Sequence, residues 1–288
     1  MALLGQPRGA AVVPDLDHRR RVDRLETRHP PRDRAAPGPA HRLDAGVGDH
    51  HDVVGADVLS GAVVQLGHAI RAELAAAADP ARAESMRAYL KSELPCHGIG
   101  NAAVRKLVAA RLRGVALSAA EWERLIRELW DGAEYREERF AALSVARARA
   151  RAYRRYAERP ESLALYEYLI RTGAWWDLVD ETAHLVEGVL VAHPEAAAAV
   201  LRRWAVDPDV WVRRVAITAQ LHRGAGTDLA LLADAIAGSV DDPDFFARKA
   251  IGWALRQYAR TDPDWVRGYL AAHPELSPLS IREASKHL

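Results

Sequence analysis

The sequence predicts an all-α fold in which pairs of helices stack side by side into a solenoid. From residue 59 onward, apolar residues recur at the three- and four-residue spacing of a helix, and no segment alternates like a strand. Aromatic and charged segments also return at a regular interval, with Asp180, Arg214 and Trp253 at equivalent places in successive segments. Stacked helical repeats of roughly 30 to 40 residues are typical of an α-solenoid of the HEAT or armadillo kind.

The N-terminal segment, residues 1–56, differs in composition from the rest of the chain. It contains no Phe, Tyr, Trp, Lys or Ile, but holds six of the 15 prolines and five of the 12 histidines. Such a segment cannot bury enough apolar surface to offset its ordering entropy. It is predicted to be either a disordered extension or a stretch added by a start site assigned too far upstream. Residues 57–288 are predicted to form the single folded domain.

Helix boundaries are marked by prolines, glycines and capping residues. Asn101 is a predicted N-cap, and Ser118 with Glu121 predicts a capping box. Carboxylates at three further helix starts suit the positive end of the helix dipole; they lie in Asp207-Pro208-Asp209, Asp241-Asp242-Pro243-Asp244 and Asp262-Pro263-Asp264. The predicted helices are 61–77, 81–94, 101–113, 118–131, 134–157, 161–172, 175–192, 195–206, 209–222, 227–239, 243–260, 263–272 and 279–287.

Bulk composition excludes several classes of protein. The formal charge is only +1, with 49% apolar and 27% charged residues, so any anion-binding surface must come from the placement of charge. The single cysteine, Cys96, excludes an internal disulfide and a Cys-based zinc site, and it fits a reducing compartment. No apolar run approaches the roughly 18 residues of a membrane span, and the N-terminus lacks the apolar core of a secretory signal. These features predict a cytoplasmic protein.

A tryptophan and a carboxylate form the first candidate site. Trp176 and Asp180 are four positions apart, so they share a helix face. A ring face attracts positive charge and a carboxylate neutralises it, so the pair suits a developing cation. The alternative is that Trp175 and Trp176 anchor the core while Asp177 and Asp180 are cap or surface groups.

Arginines beside a tryptophan form the second candidate. Trp211 and Arg214 are three positions apart and share a face, and Arg213 adjoins them. The planar donor fork of arginine suits a phosphate group. The alternative is that the arginines lie on a solvated helix face while Trp211 fills the core.

The third candidate alternates cations with an aromatic ring. Lys249, Trp253 and Arg256 share one helix face, and Arg248 lies beside them. This alternation is expected of a surface that follows a nucleic-acid backbone, although a structural role is equally compatible with it. Gly252 costs roughly 1 kcal/mol relative to alanine inside a helix, so a packing or functional reason is expected for it.

Together these motifs resemble the AlkD-like family of DNA alkylation-repair glycosylases, from about residue 65 to the end. The segments that carry the resemblance are Trp175-Trp176-Asp177-Leu178-Val179-Asp180, Trp211-Val212-Arg213-Arg214-Val215-Ala216-Ile217, Arg248-Lys249-Ala250-Ile251-Gly252-Trp253-Ala254-Leu255-Arg256, Met86-Arg87-Ala88-Tyr89-Leu90-Lys91, Ile126-Arg127-Glu128-Leu129-Trp130, and Leu276-Ser277-Pro278-Leu279-Ser280 with Arg282-Glu283-Ala284 and Lys286-His287.

The resemblance implies removal of positively charged N3- and N7-alkylated purines from double-stranded DNA. The fold implied is a HEAT-like solenoid with a concave DNA-binding face and no deep base-flipping pocket. Asp180, Trp176 and Trp253 match the family's catalytic surface, and Arg214 and Tyr89 match residues that face the DNA. Further DNA contacts are expected from the residues singled out above: Arg213, Trp211, Arg248, Lys249 and Arg256.

The protein is expected to act as a monomer. It is also expected to need no metal or cofactor, because an alkylated purine already carries the charge that makes it a good leaving group. Two alternatives stay open at this point. One is a non-catalytic helical-repeat scaffold for a protein partner, and the other is a protein that binds structured DNA without excising a base.

Overall fold

The computed structural model describes residues 52–148 and 151–288, with side chains from residue 61 except at 151 and 152. The prediction for residues 1–56 therefore lies almost wholly outside the described residues. Within them the fold is all-α, as predicted, with fourteen α-helices and no strand. In chain order these are α1 Asp52–Ala76, α2 Pro80–Leu90, α3 Asn101–Arg111, α4 Ala119–Asp131, α5 Arg136–Ala146, α6 Arg151–Ala157, α7 Ser162–Gly173, α8 Trp176–Ala192, α9 Pro194–Ala205, α10 Val210–Thr218, α11 Leu229–Ala237, α12 Phe245–Tyr258, α13 Pro263–Ala272 and α14 Pro278–Ala284.

Six of these helices form one continuous row. In the order α3, α5, α8, α10, α12 and α14, each helix packs against the next. Helices α7, α9 and α11 pack behind the middle of this row. Because each repeat contacts mainly its neighbours, the arrangement is the predicted α-solenoid. Equivalent positions on α8, α10 and α12 therefore come side by side.

The predicted helix 134–157 is wrong in its middle, because the chain leaves the helix after Ala146. A new helix begins at Arg151. The break lets Tyr153 turn into the core, where it is buried and donates a hydrogen bond to the carbonyl of Val115 at 2.7 Å. The intervening Arg-Ala repeats offer no large apolar side chain to bury, so helical periodicity alone does not reveal the break. The first helix also begins earlier than predicted, at Asp52.

The capping box at the start of α4 is confirmed. The amide of Ser118 donates to the Glu121 carboxylate at 2.7 Å, and the Glu121 amide donates to the Ser118 hydroxyl at 3.3 Å. The predicted N-cap at Asn101 is wrong, since Asn101 is already the first residue of α3 and Gly100 precedes it in an extended conformation. The chain is fixed just upstream by Glu137, whose carboxylate accepts three successive backbone amides at residues 97–99.

Carboxylates cap the helices that carry the later motifs, as the Asp-Pro segments predicted. Asp209 accepts from the amide of Trp211 at 2.9 Å, and Asp244 accepts from that of Phe246 at 2.6 Å. Asp262 caps α13 in the same way. Each cap satisfies a helix N–H group that has no partner within the helix. The starts of α10 and α12, and with them the register of their side chains, are thus set locally.

Gly252 has the packing reason that its mid-helix position implied. A Cβ atom at Gly252 would lie 2.4 Å from the Cβ of Glu283 and 2.8 Å from the carbonyl oxygen of Ser280, both on α14. The bare backbone lets α12 and α14 approach closely, and this spacing places Glu283 against α12.

Gly252→Ala is expected to destabilise the protein by roughly 1–3 kcal/mol, because overpacking outweighs the gain in helix propensity. The measurement is the unfolding midpoint in urea. Gly268→Ala is the matched control, since Gly268 lies inside α13 with nothing within 4 Å of a new Cβ. That variant is expected to gain about 0.5–1 kcal/mol. Equal effects of the two substitutions would contradict the close-approach explanation.

Candidate functional site

The centre of the candidate site is an ion pair between Asp180 on α8 and Arg214 on α10. The Nε of Arg214 donates to Oδ1 of Asp180 at 2.7 Å, and Nη2 donates to Oδ2 at 2.8 Å. This two-bond fork is the strongest and most directional form of an arginine–carboxylate pair. The regular stagger between repeats thus brings the two predicted residues into direct contact.

Arg214, which was predicted to contact DNA, is buried between two neighbouring helices. Its third donor, Nη1, bonds to the carbonyl of Phe246 on α12 at 2.9 Å, and the residue is only 4% exposed. The sequence interpretation had Arg214 contacting DNA from the surface. In the structure its guanidinium instead holds the carboxylate of Asp180, whose side chain keeps 18% of its surface exposed. These bonds fix the position of the Asp180 carboxylate, while the predicted contact of Arg214 with DNA stays a prediction.

Three aromatic side chains predicted for this surface flank the ion pair: Trp253, Trp176 and Tyr89. Trp253 on α12 is half-buried, with the centre of its ring 5.8 Å from the guanidinium carbon of Arg214. Trp176 lies one helical turn before Asp180 and meets Tyr89 edge to face, with ring centres 5.9 Å apart. Tyr89 is 53% exposed. Residues from α2, α8, α10 and α12 therefore contribute to one group.

Trp211, which was predicted to contact DNA, is buried, as in the alternative that it fills the core. It is 5% exposed and lies in an aromatic cluster with Trp175, 5.9 Å away, and Phe246, 4.7 Å away between ring centres. The cluster packs α8, α10 and α12 together beneath the ion pair. Trp175 and Trp176 point to different surroundings because Trp175 is the extended N-cap residue and Trp176 is the first helical residue of α8.

Arg213 and Arg248, also predicted to contact DNA, are held in a separate group around the loop before α12. Arg213 forms an ion pair with Asp242, and the Nε of Arg248 donates to the Asp242 carbonyl at 2.8 Å. These bonds hold both arginines away from the Asp180 group. They fix the loop that leads into α12, a role compatible with the structural alternative.

Lys249 and Arg256 lie on the same side of α12, as predicted, and converge on Glu283 of α14. Lys249 Nζ is 2.9 Å and Arg256 Nη1 is 2.8 Å from the Glu283 carboxylate, which Lys286 also approaches at 2.8 Å. Burial alone would raise the pKa of Glu283, but the bonds from Lys286 and Lys249 outweigh it and lower that pKa to about 2. Burial also lowers the pKa of Lys249, an effect that Glu283 opposes.

Two charged groups of this row were missed by sequence reasoning. One is Glu283, although it follows Lys249 at the same stagger that separates Asp180 from Arg214. The other is the buried pair between Arg136 on α5 and Asp177 on α8. The residue types alone did not predict this ion pair. Two features of the sequence could have suggested it: Asp177 lies in the first turn of α8, and it follows Arg136 by about one repeat.

The model of a family described as DNA alkylation repair enzyme matches residues 70–288, which is well over half of the chain. The chain belongs to the DNA alkylation repair enzyme family. The Asp180 group and all six helices of the row lie within the matched range.

Two solved structures are similar to this member of the DNA alkylation repair enzyme family. One is a predicted DNA alkylation repair enzyme from Enterococcus faecalis, with 29% identity, a TM-score of 0.66, and 73% of this chain and 96% of that chain covered. The other is smu.31 from Streptococcus mutans UA159, with 15% identity, a TM-score of 0.51, and 65% and 92% covered. The second likeness concerns the fold alone. No curated protein matches the chain.

The family assignment implies DNA as the substrate. Among the residues that the structure describes, no helix has the length and apolar character required to cross a membrane.

Proposed function

We propose that this chain is a DNA glycosylase that excises positively charged N3- and N7-alkylated purines from double-stranded DNA. The observation that carries the proposal is the Asp180 carboxylate held by both donors of the Arg214 fork, next to Trp253 and one turn from Trp176. A fixed carboxylate with tryptophan rings nearby is suited to a cationic sugar and a cationic base.

The pairing with Arg214 leaves Asp180 able to act. A carboxylate has about four lone-pair positions, and the arginine fork occupies two of them. The remaining positions and the exposed part of the side chain are available to a ligand. Because the fork and the Phe246 carbonyl fix Arg214, the carboxylate does not have to reorganise when charge develops in front of it.

The protein has to stabilise the sugar cation but does not have to protonate the leaving base. An alkylated purine such as N7-methylguanine carries a positive charge, so the bond to the sugar is weakened and the base leaves without prior protonation. Asp180 stabilises the oxocarbenium-like sugar, and the ring faces of Trp176 and Trp253 contact the positively charged groups. The base leaves with the electron pair of the broken bond and becomes neutral. A water molecule then adds to the sugar cation and releases a proton to solvent, and the products are the free base and an abasic site. The exposed Tyr89 and the cations Lys249 and Arg256 are proposed to contact the DNA, and the protein acts as a monomer.

Substrate choice is expected to follow the charge of the leaving base. The purified protein, incubated with duplex DNA, is expected to release N3-methyladenine and N7-methylguanine, measured as free base and as abasic sites. Uracil and hypoxanthine are expected to be released very slowly, since they leave as neutral bases only with the help of a proton donor. Efficient release of either would refute this mechanism.

One feature favours a second candidate function, binding of damaged or structured DNA without excision. The Asp180 charge is already partly neutralised by Arg214. In that case the same experiment yields DNA binding but no free base and no abasic sites.

A further inference from the structure

A second polar group lies one to two helical turns along α8 from Asp180. It consists of His184 and Glu187 on α8 and His222 in the turn that follows α10. His184 and Glu187 are four and seven positions after Asp180, so they share its helix face at a distance of about 6–10 Å along the axis. We propose that His184, Glu187 and His222 form a binding site for a divalent transition-metal ion of the zinc class.

The ligand atoms already lie close together. One ligand atom from each residue lies within 4.8 Å of the others. Nδ1 of His222 is 3.3 Å and Nδ1 of His184 is 3.9 Å from Oε2 of Glu187. A zinc ion with bonds near 2.0–2.2 Å in tetrahedral geometry holds its ligand atoms about 3.4 Å apart. The His222–Glu187 separation fits directly, and the two histidine nitrogens, within 4.8 Å of each other, have to approach by up to about 1.4 Å to complete the set.

A hydrogen bond from the backbone of His222 orients the Glu187 carboxylate for this role. The backbone amide of His222 donates to Oε1 of Glu187 at 3.2 Å, which turns Oε2 toward the two imidazole rings. Metal-binding carboxylates are commonly fixed by such a second hydrogen bond. The Glu187 side chain is 15% exposed and the His222 side chain 53% exposed, so the carboxylate is sheltered while an ion has access from solvent.

The donor set selects the class of ion. Two imidazole nitrogens and one carboxylate oxygen suit zinc and related first-row ions, whereas magnesium and calcium prefer oxygen ligands alone. Three protein ligands leave a coordination position for water. The site is separate from the proposed excision chemistry, which involves Asp180 and needs no metal. Sequence motifs did not reveal it because His222 comes from the repeat that follows the one carrying Glu187.

The test uses the full chain without an affinity tag. Dialysis against a small excess of Zn²⁺ and then against buffer is followed by elemental analysis. The comparison is between the wild-type protein and the variants His222→Ala, His184→Gln and Glu187→Gln. Each variant is expected to retain one equivalent of zinc less than the wild type. Its affinity for Zn²⁺ at this site is expected to fall by at least about 100-fold, since loss of outer-shell partners alone costs roughly 10–100-fold.

The matched control is His273→Ala. His273 also pairs with a carboxylate, that of Glu275 at 2.8 Å, but no third ligand from the described residues completes a metal-binding group there. This variant is expected to keep the wild-type zinc content, which also separates the site from histidines in residues 1–51. Replacement of zinc by Co²⁺ is expected to give the visible absorption of a four-coordinate ion in the wild type and the control only. Mg²⁺ is expected to leave the thermal midpoint unchanged, while Zn²⁺ raises it.

Equal zinc retention by the wild type and the His222→Ala and Glu187→Gln variants, with circular dichroism showing all of them folded, would overturn the proposal. Both the metal and the spectroscopic measurements are made without DNA, so they do not depend on the proposed excision activity.

Discussion

Asp180→Asn is expected to lower the rate of alkylpurine excision by about 10²–10³-fold. The asparagine keeps the shape of the side chain and can still accept one hydrogen bond from Arg214, but the negative charge facing the sugar is lost. The measurement is single-turnover release of N7-methylguanine at saturating protein, so that weaker DNA binding does not enter the rate. A rate within a few-fold of wild type would remove Asp180 from the mechanism.

The control for this substitution is Glu181→Gln, which removes the carboxylate that directly follows Asp180 on α8. Glu181 pairs with Arg147 and Arg105 and not with Arg214. Its substitution is expected to change the rate no more than a few-fold. Since Asp180→Asn leaves the buried guanidinium of Arg214 with a neutral partner, both variants are compared at a temperature well below their unfolding midpoints. A large loss in both variants would indicate a general electrostatic or folding effect.

Asp177→Ala is expected to destabilise the protein by about 3–5 kcal/mol. The Asp177 and Arg136 side chains are only 6% and 7% exposed, and Arg136 Nε donates to Oδ2 of Asp177 at 3.2 Å. Truncation leaves the guanidinium buried without its counter-charge. The unfolding midpoint is expected to fall by roughly 6–20 °C in a thermal scan, given the size of the domain.

The control is Asp264→Ala, because Asp264 differs from Asp177 mainly in the burial of its side chain. Asp264 is also in the first turn of a helix and also pairs with an arginine, Arg267, but its side chain is 89% exposed. That substitution is expected to cost no more than about 1 kcal/mol. Equal losses for both would show that burial does not determine the cost.

Replacement of both Arg136 and Asp177 tests whether the loss of stability comes from the unpaired buried charge. Burial raises the pKa of Asp177 even though Arg136 opposes the shift, so for this carboxylate desolvation outweighs the pairing. The double variant Arg136→Met, Asp177→Leu is therefore expected to be far more stable than Asp177→Ala. A double variant that is less stable than the single one would contradict this.

The fold class and the placing of Asp180 and Arg214 on one surface were predictable because both depend on periodicity. Helical spacing within segments and a regular stagger between them were sufficient to bring Asp180 and Arg214 to the same place. The direction of individual side chains was not predictable in the same way. Whether Arg214 faces solvent or a neighbouring helix depends on the Phe246 carbonyl, which becomes an acceptor only when α12 packs beside α10.

The tryptophans show the same limit. Trp175 and Trp176 have the same residue type and neighbouring positions, and only the residue at which α8 begins sends one into the aromatic cluster and the other toward Tyr89. Trp211 has the spacing of a surface residue relative to Arg214, yet the cluster of aromatic rings from three helices surrounds it. Such packing is a tertiary property, so the local pattern left a surface position and a core position open for Trp211.

The three hydrogen bonds of Arg214 have a mechanical consequence. In a solenoid each repeat contacts only its neighbours, so helices that are not adjacent have few direct links. Arg214 is bonded to Asp180 on one side and to the Phe246 carbonyl on the other. It therefore links α8 to α12 across α10, so that any change in the spacing of these three helices has to stretch or break one of its hydrogen bonds.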